Sequence, residues 1–488
     1  MQLPAGFSHL FDHTGYLVPE LVLLTGAVCI LICGFFPRLS AWWLTTLAAA
    51  VLALAAVLLA TVWPEEPQLF FFGMLRLDQL AAVMRLLLTG TALLVLFFPI
   101  QNGGRSAEYL FFVLTLVLGG NLLCMSADLL AVLLSLELIS ISSYALTGFS
   151  FSRAAAEGSW KYFLVGSVAT AITIFGMSYV FGATGTTQFT SDRFLESALL
   201  QPSTLLAAGA LLTLAGFLFK IGAAPFHWWA PDAYQSAPIA VAALLSTVPK
   251  VAGTCVLIRF TVALHTSGHD TVNWVYVLAI VALATLLTGT LGGLLQRDAR
   301  RLMAYSSIAQ SGFVLVGVAC LTPSGVQTAL FYLATLVVMN LLTFRSFQSM
   351  AHITGTWEIS GWAGQGRQWS LLTLFLTGGL VALAGLPPTG GFMAKVFVFT
   401  ALWSSYQTTS QPLLAILLTA GLAATVAGLF FYLKAPYYLV MKGGSPTENK
   451  NPTPGGTLFL WIMFVLTLLL FFQPGLLMGW LNRFTFVD

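Results

Sequence analysis

Four ionisable residues stand inside long apolar runs. Glu137 lies in DLLAVLLSLELISISSYALTGF, Lys220 in LLTLAGFLFKIGAAPFHWW, Lys250 in APIAVAALLSTVPKVAGTCVL and Lys395 in LAGLPPTGGFMAKVFVF. One such group at the centre of a helix in lipid costs about 2.5–3.5 kcal/mol on insertion scales. The four together cost on the order of 10 kcal/mol, as much as the net stability of a domain. Snorkelling to the interface suits residues near a span's end, and only Lys220 could partly use it. A buried lysine is pulled towards neutrality by desolvation and back towards its charged form by a nearby carboxylate. A group held between those forces can load and release a proton, so the set reads as a proton pathway. Lys161 in EGSWKYFLVG could open a path or simply anchor its span, and His227 in PFHWWAPD could relay a proton or cap a span end. Glu20, the cluster Arg297, Arg300 and Arg301, and the pair Trp228–Trp229 read as interfacial residues.

Such residues need an apolar scaffold. The 488-residue chain is 58% hydrophobic and 8% charged, against roughly 25% charged in soluble domains. The fold class expected is therefore an all-α polytopic membrane protein. At about 20 apolar residues per span, the runs predict about fourteen spans. These lie near 18–36, 41–63, 79–100, 109–125, 128–150, 161–183, 204–226, 238–264, 272–295, 302–321, 326–349, 370–403, 411–435 and 456–480. The formal charge of +3 gives no sign of nucleic-acid binding. The cysteines Cys29, Cys33, Cys124, Cys255 and Cys320 are too scattered to supply the cluster of about four ligands that a zinc or iron–sulfur site needs. No basic stretch precedes the first apolar run, so that run is expected to act as its own insertion signal.

Two spans should be broken. The twelfth contains Leu386-Pro-Pro-Thr-Gly-Gly391, and the seventh holds Gly222 and Pro225 near its end. Interrupted helices are tolerated at membrane depth only where protein or a water-filled cavity satisfies the freed backbone. The breaks lie five spans apart, and an odd offset turns a second copy upside down. This suggests two inverted five-helix repeats, 109–264 and 272–435, preceded by three helices within 1–108 and followed by a last helix and tail at 456–488. The letters offer only Leu214-Ala-Gly-Phe217 against Leu383-Ala-Gly-Leu386.

The strongest motifs are LELISISSYALTGF at 136–149, EGSWKYFLVG at 157–166, FKIGAAPFHWWAPDAYQSAPIAV at 219–241, RRLMAYSSIAQSGF at 300–313 and LAGLPPTGGFMAK at 383–395. With these the chain resembles, over nearly its whole length, the antiporter-like membrane subunits of bacterial respiratory complex I, NADH:quinone oxidoreductase. PDAYQSAP and the short C-terminus favour the chain N (subunit 2) branch over chains M and L. The resemblance implies a proton-translocating subunit in which Glu137 partners Lys220, Lys250 is a central relay, Lys395 is the terminal station and Lys161 lies on the same axis. It also implies that this chain carries no cofactor, with NADH, FMN, iron–sulfur clusters and quinone bound in or with other subunits. The implied partners are chain M, small membrane chains such as K and J, and lipid, in the bacterial inner membrane. Pro249 before Lys250, and Trp160, depart from the family pattern. A subunit of a cation/proton antiporter, or of a hydrogenase- or ferredoxin-linked membrane complex, is the alternative; a purely structural scaffold would not need the intramembrane charges.

Orientation follows from basic residues. Loops after odd-numbered spans are read as holding Arg38, Arg105, Arg153, Arg297, Arg300, Arg301, Arg345, Arg367, Lys434, Lys442 and Lys450; the other side holds Arg76, Arg193, Arg483 and, at a span end, Arg259. Loop 296–301 is therefore expected in the cytoplasm and both termini outside. A cysteine introduced at Gln296 should react with an impermeant maleimide only after cells are opened, and one at Val487 in intact cells. The reverse pattern would overturn the topology.

Overall fold

In a membrane a helix is the cheapest way to satisfy the backbone, since every N–H and C=O can pair within one segment. The computed structural model describes residues 14–36, 40–99, 106–200, 204–266, 272–444 and 456–483, and these are overwhelmingly helical. Arg38, Arg105, Lys450 and both chain ends lie outside the described residues. Contact clustering divides the chain into two units, one of residues 1–221 with 248–273 and the other of 222–247 with 274–488.

The first unit opens with α1 (Val18–Cys33) and α2 (Ala41–Thr61), then a short antiparallel hairpin of β1 (Gln68–Phe70) and β2 (Leu75–Leu77). It continues with α3 (Gln79–Val95), α4 (Ala107–Met125), α5 (Leu129–Thr147), α6 (Arg153–Thr184), α7 (Asp192–Leu200), α8 (Thr204–Ile221) and, after the chain has visited the second unit, α11 (Val248–Thr266). The second unit comprises α9 (Trp229–Ser236), α10 (Ile239–Leu245), α12 (Trp274–Leu294), α13 (Ala299–Ala319), α14 (Pro323–Thr354), α15 (Ser370–Ala384), α16 (Gly390–Thr409), α17 (Pro412–Tyr432), α18 (Lys434–Val440), α19 (Gly456–Phe472) and α20 (Pro474–Leu481). Each apolar run is helical. By length and composition, however, eleven helices qualify as membrane spans, or twelve if the bent pair α19–α20 is one span; α3 and α15 are shorter apolar helices. Both expected breaks are present, between α8 and α9 and between α15 and α16.

An internal duplication is visible in local geometry. Asp128 caps α5 by accepting from Leu130 N, and Asp298 caps α13 by accepting from Arg300 N. Ser152 caps α6 and Thr322 caps α14. Both of those helices are 32 residues long and stop at a left-handed glycine, Gly185 (φ 66°) and Gly355 (φ 73°). Leu129 N bonds Thr187 O at 2.9 Å, and Ala299 N bonds Trp357 O at 2.9 Å. All these pairs share a single constant spacing in sequence. At the breaks, Gly222 and Gly385 are left-handed (φ 67° and 78°). Six residues before each stands a glycine, Gly216 or Gly379. Its Cβ would meet a threonine hydroxyl, Thr173 Oγ1 at 2.6 Å or Thr343 Oγ1 at 2.5 Å. Gly216 thus corresponds to Gly379 and Gly222 to Gly385, so the two LAG tetrads of the sequence are out of register with the structural match.

Some basic residues are not where the topology count put them. Arg345 is buried within α14 rather than in a loop. Arg259 is buried in α11, where it binds Asp78 through two bonds of 2.6 and 2.9 Å and also donates to Cys124 O. Glu20 is not interfacial: it is buried and holds Arg85 of α3 at 2.7 Å. Removing one partner of a buried ion pair strands the other charge, whereas replacing both with apolar groups is often neutral. Arg85→Met should therefore destabilise the protein by about 3–5 kcal/mol, and Glu20→Leu combined with Arg85→Met should recover most of that loss. Thermal unfolding in detergent reads the difference; equal loss in the single and double variants would refute a net electrostatic role.

Candidate functional site

Lys220 occupies the last turn of α8, where Gly222 ends the helix by turning left-handed. Its side chain is buried, and Nζ donates to Ser140 Oγ of α5 at 2.5 Å. Ser140 Oγ in turn donates to Leu136 O at 2.7 Å. Glu137 stands one turn before Ser140 on the same face. It is half-buried, accepts from Thr170 Oγ1 at 2.7 Å, and is near enough for a coulombic interaction with Lys220. Tyr144 stands one turn beyond Ser140, its ring edge-on to Tyr162 at 4.7 Å. Gly166 of α6 makes room for this ring: a Cβ there would fall 1.8 Å from the Tyr144 hydroxyl. Glu137, Ser140 and Tyr144 thus form one polar stripe on α5 that faces the end of a half-helix.

Lys250 is also buried, near the start of α11. One turn further on, Gly253 lies against the Lys220 side chain; a Cβ on it would stand 3.1 Å from Lys220 Cβ. The two lysines therefore share the α8–α11 interface. Helical pairing is interrupted at Ser246–Thr247, whose hydroxyls fold back onto Ala243 O. This is a local irregularity within one span, Ile239–Thr266, rather than a third break. Pro249 sits in the first turn of the new helix, where an N–H would have no intrahelical acceptor, so it fits without loss.

Lys395 lies in the second unit, in the second turn of α16. Its buried Nζ donates to Ala384 O at 2.8 Å, a carbonyl freed at the open end of α15, and lies 4.4 Å from the centre of the Phe313 ring. Gly385 is required here, since a Cβ would stand 2.6 Å from Lys395 Cδ. The neighbouring carbonyl, Leu383 O, accepts from Gln310 Nε2 at 2.9 Å. That same nitrogen donates to the Tyr432 hydroxyl at 2.9 Å, which pairs with Ser306 Oγ at 2.6 Å. Tyr332 donates to Gln310 Oε1. Both N–H bonds of the Gln310 amide and its oxygen are engaged, which fixes its orientation.

His227 is buried in the connector after α8, stacked on Trp228 at 4.8 Å, and its Nδ1 has no partner among the described residues. Lys161 lies on the outer face of α6, its side chain 47% exposed and paired with Glu157 at 2.8 Å. The structure therefore sets Glu137 one turn from the Ser140 that holds Lys220, places Lys250 one turn from the Gly253 that packs on Lys220, gives Lys395 its own network, and leaves Lys161 on the outer face of α6. Sequence reasoning missed Ser140, Thr170, Gln310, Tyr332 and Tyr432. The duplication supplies the missing signal: Gln310 occupies in the second copy the place of Ser140 in the first, and Tyr332 that of Tyr162. Among the described residues no cluster of three His, Cys, Asp or Glu could hold a metal ion.

Residues 126–426 match the family model described as NADH:quinone oxidoreductase/Mrp antiporter, TM. The chain is 35% identical over 448 residues to NAD(P)H-quinone oxidoreductase subunit 2 of Synechococcus sp. (strain CC9311), covering 90% of this chain and 83% of the relative. It is 34% identical over 472 residues to NADH-quinone oxidoreductase subunit N 2 of Sorangium cellulosum (strain So ce56), with 91% and 92% covered. A chain of respiratory complex I from Thermus thermophilus superposes with TM-score 0.80 at 27% identity, over 95% of this chain and 99% of that one. A chain of the Mrp complex from Dietzia sp. DQ12-45-1b gives TM-score 0.81 at 20% identity, over 96% of each, a likeness of fold alone.

Replacing Gln310 by leucine would leave the Tyr332 hydroxyl and the Leu383 carbonyl without this partner. Each buried group so stranded costs about 1–3 kcal/mol. Gln310→Leu should therefore lower the thermal midpoint of the detergent-solubilised protein, and Ser306→Ala, which removes a single bond further out, should lower it less. An unchanged midpoint in Gln310→Leu would show that the amide does not brace the break.

Proposed function

Since the chain belongs to the NADH:quinone oxidoreductase/Mrp antiporter transmembrane family, we propose that its buried lysines are the proton stations of a multi-pass subunit of NADH:quinone oxidoreductase. Glu137, Lys220 and Lys250 serve in the first unit and Lys395 in the second. The observation that carries this reading is Lys220: a buried ammonium at the open end of a half-helix, held by Ser140 with the Glu137 carboxylate in coulombic reach. Four such charges cost more than any fold requires. A helix break exposes carbonyls whose partial negative charge favours a cation, and it is where water can enter a membrane protein. Glu137 tunes Lys220; Ser140 and Thr170 hold the pair in register. Lys161 and His227 are secondary candidates, Lys161 at the outer face of α6.

The chain works as part of an H+-translocating oxidoreductase, and redox chemistry at flavin, iron–sulfur clusters and quinone belongs to other subunits. Membrane chains of the M, K and J types are the expected neighbours in a bacterial inner membrane, with both termini extracytoplasmic. The duplicated caps and breaks support two repeats within 109–264 and 272–435, and the odd offset of five spans between the breaks is the ground for reading them as inverted. A subunit of a cation/proton antiporter is the second reading, favoured by the fold likeness to the Mrp chain. Purification separates the two: an oxidoreductase subunit arrives with flavin and iron–sulfur absorption.

Lys220→Ala should reduce proton-coupled quinone reduction on the order of a hundredfold, the low end of what a positioned proton-transfer group supplies, with the complex still assembled. Lys220→Arg should not rescue it fully, because a guanidinium with pKa above about 12 holds its proton. Glu137→Gln should weaken the same step. Quinone reduction and proton uptake in proteoliposomes measure these effects, and normal values in an intact Lys220→Ala complex would reduce the lysine to a structural role.

A further inference from the structure

Lys395 differs from Lys220 in what compensates its charge. Lys220 has the Glu137 carboxylate in coulombic reach. Among the described residues no aspartate or glutamate pairs with Lys395. Its ammonium meets one carbonyl, Ala384 O at 2.8 Å, and the face of the Phe313 ring, whose centre is 4.4 Å away. Taking Lys395 as a proton station of the second unit, we propose that Phe313 is its positioning residue, a ring face that holds the loaded ammonium where the first unit uses a carboxylate.

The duplication displays this exchange residue by residue. At the spacing that relates Ser140 to Gln310, Glu137 corresponds to Ser307 and Ser143 to Phe313. The carboxylate of the first copy is thus a serine in the second, its hydroxyl 3.2 Å from that of Tyr234. The ring of the second copy is a serine in the first, and the Ser143 hydroxyl folds back onto Ile139 O at 2.7 Å. Lys220 also has a ring, its chain neighbour Phe219 at 5.3 Å, but in addition to Glu137.

The ring is built into place. Phe313 is 3% exposed. Tyr332 of α14 stacks with it at 18° between planes and 6.1 Å between centres, and the Tyr332 hydroxyl is tied in turn to Gln310. Phe399, one turn after Lys395 on α16, meets the ring edge-on at 6.1 Å. The lysine arm lies against Gly385, so ring and ammonium are each held by their own neighbours.

A ring face attracts a cation through its quadrupole and has no comparable attraction for a neutral amine. Phe313 therefore favours the loaded form of the station and adds little to the empty one. A carboxylate does the same more strongly, but once its lysine unloads it is left as a buried charge without a partner. A ring leaves no charge behind. Lys395 can release its proton with no compensating charge movement beside it, whereas Lys220 exchanges its proton under the hold of Glu137.

The test replaces Phe313, in the intact complex, by phenylalanines carrying one, two or three ring fluorines. These drain negative charge from the ring face and nearly keep its shape, so assembly is preserved. Proton-coupled quinone reduction in proteoliposomes should fall stepwise with fluorine number, by about tenfold or more at three, within the worth of a desolvated cation–ring contact. Phe313→Leu should fall at least as far. A flat fluorine series would overturn the role of the ring, and a loss in Phe313→Leu that the trifluorinated residue does not share would reduce it to packing. Lys395→Met separates this from the reading beneath it. Normal turnover in that variant, with the complex assembled, would remove the station itself; slow turnover with a flat fluorine series would remove the ring alone. A second measurement needs no turnover. The thermal midpoint of the solubilised protein should drop more for Phe313→Leu alone than for the same change in the Lys395→Met background. Equal drops would show that ring and ammonium do not interact and would overturn the proposal.

Discussion

No peptide group in a lipid-embedded chain can be left without a partner, because no solvent is present to provide one. Lys220 and Lys395 are both placed where the chain breaks a helix and must answer that demand. At the first break, Ala224 N is taken by Thr285 Oγ1 at 3.0 Å. At the second, Ala384 O is taken by Lys395 and Leu383 O by Gln310. The lysine at the second break is at once a charge that needs compensation and a donor that a freed carbonyl needs. A broken helix and a buried cation therefore stabilise one another, which is why the costliest residues and the costliest backbone sit side by side.

The two copies of the repeat meet the demand with different chemistry on the same frame. Caps, helix lengths, terminating glycines and glycine–threonine contacts recur, but the groups they present do not. Where the first copy offers Ser140 to a lysine side chain, the second offers Gln310 to a backbone carbonyl. The first copy carries its lysine before the break and the second after it. Duplication thus preserved the positions at which polar groups are needed and left their identity free.

Much of this was legible in the sequence. Apolar runs separated by polar stretches located the long apolar helices, because in lipid hydrophobicity alone selects the span. They did not locate the short helices α7 and α9, which lie between the runs, and eleven or twelve spans qualify where about fourteen were expected. Pro225, and Pro387 with Gly391, announced two breaks, and the three buried lysines with half-buried Glu137 announced themselves by cost. What escaped is equally physical. Serines, threonines, a glutamine and tyrosines inside apolar helices carry no charge, and nothing in their spacing says which will face a lysine. The pairing of Glu20 with Arg85, and of Asp78 with Arg259, depends on helices far apart in sequence. The local irregularity before Lys250 has no glycine to mark it, only two hydroxyl side chains that return to Ala243 O.

The contact between α6 and α8 has a mechanical consequence. A Cβ on Gly176 would fall 2.4 Å from Thr213 N, and one on Gly209 would fall 2.8 Å from Val180 N. The two backbones touch at glycines, the one residue type that permits it, and a slide along the helix axis would drive a larger side chain into the space each glycine leaves. The pair is locked in register and behaves as a rigid strut. Lys220 rides on the end of that strut, one residue before α8 stops at Ile221, so the glycine contacts between α6 and α8 set where its backbone stands, and the freedom left to the ammonium is that of its own methylene arm.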